Sequence, residues 1–116
     1  MKATMTVLTV LLAIIVIGSA MGKFRKAPQV MATMTHVGLN PQQIIILAIV
    51  EVLGGLGLLI GFASKTLGVL SAIGLSFYFV GAVIAHIRKR DKIKELAAPL
   101  VILVIALVTT WLQFNR

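Results

Sequence analysis

Residues 44–62 read IIILAIVEVLGGLGLLIGF, nineteen residues with a single charge, Glu51. A run of that length matches the roughly 20 apolar residues with which an α-helix crosses the hydrocarbon core of a bilayer, and it is too long and continuous for a barrel strand. Three more such runs occupy residues 4–21, 66–87 and 96–112. The sequence therefore predicts an all-α protein, an integral membrane four-helix bundle. Little chain is left for anything else, so residues 1–116 are read as one transmembrane domain.

Composition agrees. The chain is 59% hydrophobic and 12% charged, against about 25% charged in soluble globular domains, which excludes an ordinary soluble enzyme. It has no cysteine, which excludes disulfides, thiolate metal ligands and dithiol chemistry carried by this chain.

The 11 Lys and Arg against 3 Asp and Glu are unevenly placed. Lys23, Arg25, Lys26, Arg88, Lys89, Arg90, Lys92 and Lys94 fall in the first and third connections, and only Lys2, Lys65 and Arg116 fall on the other side. By the positive-inside rule the basic connections are expected to be cytoplasmic, in a plasma or inner membrane, with both termini outside. The cluster after the third run also reads as a lipid or phosphate contact. Nucleic acid is not an expected partner, because the cluster is short and has no interleaved aromatic residues.

The connections carry their own signals. In the first, Pro28 suits an opening helical turn, Val30, Met31, Met34 and Val37 recur at helical spacing, and Gly38 supplies a stop. A short helix over residues 28–37 lying on the membrane surface is expected. Asn40-Pro41 reads as cap and first-turn proline of the second span, residues 63–65 as a tight turn, and Asp91 as a cap for the last span. The first run resembles a secretory signal, with Lys2 before it and Gly18-Ser19-Ala20 near its end. It is longer than the ~7–15 residues of a signal core and is expected to remain as a helix. A weak repeat, GSAMGKFRK at residues 18–26 and GAVIAHIRK at residues 81–89, predicts two parallel helical hairpins with Lys23 and His86 in equivalent places.

Glu51 is the residue most informative about function. A carboxylate at the centre of a spanning helix costs on the order of 2.5–3.5 kcal/mol even on permissive insertion scales, so it is expected to face the bundle interior and find a partner. Desolvated there, it reads as a protonated hydrogen-bond donor, a proton acceptor or an acid, or more plainly as a hydrogen-bonded packing residue. Gly54 and Gly55 share its face, and Gly57 and Gly61 form a GxxxG pair. These glycines mark close helix packing, and beside Glu51 they also leave room for a small ligand. Ser71, Gly74, Tyr78, Gly81, Ala82 and Ala85 make a matching stripe, with Tyr78 a polar handle within reach of Glu51. His86 at the inner end of that stripe is a second candidate catalytic residue, paired with Glu51 or merely ending a helix. Lys23 either points inward or snorkels to water, and Arg88 joins it in a cationic rim for a polar head group. His36 and His86 share a predicted side but lack a ligand cluster, so no metal site is assigned, and Met31 and Met34 read as packing rather than copper ligands.

Gly22-Lys23, Pro28, Gly38, Pro41, EVLGGLG at residues 51–57, Gly74-Leu75, Gly81-Ala82, His86-x-Arg88 and a Pro99 opening the last helix occur in order along almost the whole chain. This set resembles the DoxX-like family of small four-helix membrane proteins, in the group that includes DoxX and DoxD. The resemblance implies a four-helix bundle. The family takes its name from a subunit of a thiosulfate:quinone oxidoreductase, which implies an accessory or subunit of a membrane oxidoreductase system with a quinone as the favoured ligand. Glu51, Gly54, Gly55, Tyr78, Lys23 and Arg88 would line the site. Related membrane proteins of thiol redox use cysteines, which this chain lacks. Membrane lipid, a homo-oligomeric partner or a larger membrane complex are the other expected associations. Two further readings are an enzyme performing acid–base isomerisation or cyclisation on a lipophilic substrate, and a structural or transport protein that oligomerises through its glycine faces.

Overall fold

The computed structural model describes residues 2–90 and 93–116, with side chains from residue 96 onward in the last helix. The expected cap Asp91, with Lys92 and the side chain of Lys94, lies outside them. Five helices follow in order: α1 (Lys2–Phe24), α2 (Pro28–His36), α3 (Pro41–Ile60), α4 (Lys65–Arg88) and α5 (Ile93–Phe114). The four long ones are each long and apolar enough to span a bilayer, and the protein is an all-α integral membrane bundle.

Helix ends form where local chemistry dictates. At the start of α3 the Asn40 side chain accepts from the Gln43 amide at 2.8 Å while the Gln43 side chain accepts from the Asn40 amide at 3.0 Å, a reciprocal cap before Pro41. Ser64 accepts from the Leu67 amide at 3.4 Å to open α4. After α2, Gly38 takes φ +92°, a left-handed conformation that glycine adopts without a Cβ penalty. Lys26 after α1 and Arg90 after α4 also have positive φ, 53° and 56°, so two helices that share a repeat motif end in the same way. Pro99 does not open α5 as its position in the sequence suggests. The helix begins at Ile93, so Pro99 sits inside it, where it cannot donate to the carbonyl one turn back.

Packing pairs α1 with α3 and α4 with α5, with α3 also against α4. Leu12 and Val16 of α1, Leu58 of α3, Ala72, Leu75 and Phe79 of α4 and Ala106 of α5 form the core. Large apolar side chains cover the outside instead of polar ones: Ile14 and Leu53 are 64% exposed and Phe77 is 73% exposed, as expected where the solvent is lipid. The α3 glycines set how closely the helices approach. A Cβ on Gly61 would lie 2.5 Å from the Cα of Gly68, and one on Gly57 would collide with the Ser71 side chain. These contacts are internal to the bundle, so the Gly57/Gly61 face is already occupied by α4.

Away from the basic connections, the bundle is stapled by neutral groups and one arginine. Gln113 donates to Thr9 Oγ1 at 3.0 Å, and Arg116 donates to the Gly61 carbonyl at 2.7 Å and to Gln113 Oε1 at 2.8 Å. The Ser76 and Thr110 hydroxyls lie 3.1 Å apart between α4 and α5. With no water in the bilayer core, such groups must find partners inside the protein.

Candidate functional site

The other end of the bundle holds a charged pair. Ser19 and Lys23 lie one turn apart on α1, so both side chains project from one face toward α3. Lys23 Nζ donates to Ser19 Oγ at 2.8 Å and to Glu51 Oε1 at 2.5 Å, and Ser19 Oγ lies 3.4 Å from the same carboxylate oxygen. Glu51 is fully buried and Lys23 is only 3% exposed, so Lys23 points inward and does not snorkel. Only one carboxylate oxygen is satisfied. Oε2 is buried and receives no hydrogen bond among the described residues, although the Tyr78 side chain sits near enough to interact with the carboxylate. A buried acceptor without a donor loses its hydration with nothing in return.

Beside the pair lies a cleft of about 370 Å³. Ser19, Lys23 and Glu51 border it from α1 and α3, Tyr78 and His86 from α4, and Met34 from α2. Pro99 and Ile102 of α5 complete the wall. His86 is buried, and the Tyr78 ring is held edge-on to Phe79 with centroids 4.9 Å apart. A larger cleft of about 530 Å³ lies at the opposite end between Lys2, Phe62 and Arg116, where Arg116 already donates to backbone carbonyls.

The structure thus brings Glu51, Lys23, Tyr78 and His86 to one cleft. It does not bring Gly54, Gly55 or Arg88 there. The expected space beside the two glycines is filled: a Cβ on Gly54 would lie 2.7 Å from Leu75, and one on Gly55 would lie 2.7 Å from Ile17. They admit neighbouring helices, not a ligand. Arg88 is the last residue of α4 and is exposed, so it belongs to the basic surface and not to the cleft wall. Ser19 is the participant that sequence reasoning missed. Its signal was its place four residues before Lys23, obscured by its place among small residues that resemble a cleavage site.

Chemically, the pair offers a donor and an acceptor side by side with no net charge. Two of the three Lys23 protons are committed to Ser19 and Glu51, which leaves one N–H and the Oε2 lone pairs for a neighbour. Among the described residues no group of three or more His, Cys, Asp or Glu is placed to hold a metal ion.

A family model described as the DoxX-like family matches residues 7–109, a stretch that contains every residue of the charged cluster. No curated protein matches the chain, and no solved structure does.

Proposed function

The chain belongs to the DoxX-like family, and from that premise we propose that its Lys23–Glu51 cleft binds a small lipophilic molecule, a quinone by preference, for a membrane oxidoreductase system in which the protein is an accessory or a subunit. The observation that carries this reading is the unsatisfied Glu51 Oε2 beside a cleft bordered by Lys23, Tyr78 and His86. In this reading Lys23 donates to a ligand oxygen and Glu51 accepts or returns a proton. The basic ends of α1 and α4 face the cytoplasm, which puts the cleft in the inner half of the membrane.

The test is to purify the protein in native-lipid discs and identify co-purifying molecules by mass spectrometry, for the wild type and Glu51→Gln. A stoichiometric lipophile that is lost in the variant supports the reading. Absence of any bound lipophile, with Glu51→Gln unchanged in stability, overturns it.

A second reading draws on the presence of two titratable side chains, Glu51 and His86, in one cleft. In it the protein is an enzyme that moves a proton within a lipophilic substrate, with Glu51 as acid or base. Turnover that disappears in Glu51→Gln while ligand binding survives would distinguish it. Oligomerisation through the α3 glycine face has less support, since Gly54, Gly55, Gly57 and Gly61 all meet neighbouring helices of the same chain; Gly74 and Gly81 of α4 remain open.

A further inference from the structure

A second cavity adjoins the first. It measures about 340 Å³ and is walled by apolar side chains, among them Leu39 after α2, Leu47 of α3 and Phe77 and Ala85 of α4. Met34, Tyr78, Ala82 and His86 border both cavities. The two are therefore neighbours across Tyr78, one polar at its floor and the other apolar along its length. A molecule that fills both has a polar head and an apolar tail.

The head is specified more narrowly by the charged pair. Lys23 and Glu51 neutralise each other at 2.5 Å, so a charged head would bring an uncompensated charge into a buried site. Glu51 Oε2 is an acceptor without a donor, so a head that carries an O–H gains a charge-assisted hydrogen bond there, and its oxygen can accept the remaining Lys23 N–H. A head with only acceptors meets Lys23 alone and leaves Oε2 with no partner but the neighbouring Tyr78 side chain. Glu51 is fully buried, so the head reaches it where the Tyr78 side chain, which borders both cavities and sits beside the carboxylate, turns aside.

We infer that the two cavities form one site for a single-chain amphiphile with an uncharged hydroxyl head, the hydroxyl donating to Glu51 Oε2 and the tail lying along α4 beneath the segment that follows α2. The inference rests on the ligand-binding reading above and narrows it: among redox lipids it selects the reduced, hydroxyl-bearing form over the oxidised form, whose ring oxygens only accept.

The probes are para-dodecylphenol, its O-methyl ether and para-cresol, each titrated against the full chain in lipid discs and followed by native mass spectrometry. The phenol is expected to bind roughly tenfold to hundredfold more tightly than the ether, the range for one hydrogen bond to a charged group. Gly81→Leu tests the tail path, because Gly81 borders only the apolar cavity and a Cβ there meets nothing within 4 Å. This variant should weaken para-dodecylphenol about tenfold, the scale of a few lost apolar contacts, and leave para-cresol unchanged; Ala85→Leu repeats the test from the next turn. Equal binding of phenol and ether overturns the inference and leaves the broader reading intact. Full affinity of the long-chain phenol in both leucine variants overturns the tail path. If neither long-chain probe binds, the inference is overturned, and the co-purification test above decides the broader ligand-binding reading separately.

Discussion

Replacing Lys23 with Met keeps most of the side-chain volume and removes the cation, and it isolates the energetic role of the pair. In the wild type Nζ lies 2.5 Å from Glu51 Oε1 with both side chains almost wholly buried. Removing one partner of such a pair leaves a carboxylate with neither counter-charge nor hydration, an effect of about 3–5 kcal/mol in comparable buried pairs. Glu51→Gln should be milder, on the order of 1–3 kcal/mol, because the amide is neutral and Lys23 sits near the end of α1 where it can turn toward water. The double variant Lys23→Met/Glu51→Leu removes both charges and should recover most of the loss, since well-packed apolar replacements of buried pairs are often neutral. Unfolding of the wild type, Lys23→Met, Glu51→Leu and the double variant in mixed mild and denaturing detergent, followed by circular dichroism, gives the cycle, with Glu51→Gln measured beside it. A coupling of about 2 kcal/mol or more is expected. If Lys23→Met loses less than about 1 kcal/mol, or if the single effects simply add, the pair does not hold α1 to α3 as argued.

Two further outcomes follow from the packing and the caps. Gly61→Ala places a Cβ 2.5 Å from backbone of α4 and should destabilise the bundle by about 1–3 kcal/mol, whereas Gly74→Ala, where a Cβ meets nothing within 4 Å, should be neutral or stabilising by up to about 1 kcal/mol; the same detergent unfolding assay reads both, and a reversed order would refute the α3–α4 contact. Asn40→Ala removes the side chain that accepts from the Gln43 amide and should lower stability by about 1 kcal/mol, with faster amide exchange confined to the first turn of α3.

The spans and the Asn40 cap were legible because they depend on neighbours in the chain. A run of nineteen residues with one charge, or an Asn followed by Pro, acts locally whatever the rest of the molecule does. Glu51 was legible for a related reason: its cost is set by depth in the membrane, which the length of the run reveals. Its partner was not. Lys23, Tyr78 and His86 were all within reach in principle, and choosing among them requires the rotation of each helix about its axis, which the long apolar runs leave undetermined by being apolar on nearly every face. The same ambiguity misplaced the expected open space beside Glu51. Gly54 and Gly55 do share the Glu51 side of α3, but Leu75 and Ile17 from other helices occupy the volume beside them, and nothing in residues 44–62 shows that. Pro99 misled through a preference for first turns that the longer α5 does not follow.

The contrast between the two ends of the bundle bears on why a charged pair is present at all. At one end Thr9 and Gln113 join α1 to α5 with a hydrogen bond between neutral groups that leaves no charge to desolvate. At the other end Lys23 and Glu51 join α1 to α3 with two charges, and one carboxylate oxygen remains unsatisfied. If the second contact served only to fasten helices, apolar packing would do so without the desolvation penalty. The α1–α3 interface already has that packing, since Gly55 lets α3 approach Val16 and Ile17 closely. Close α1–α3 packing therefore does not depend on the charged pair alone. What it supplies and apolar packing does not is a donor and an unsatisfied acceptor beside a cleft, the feature on which the proposed ligand site rests.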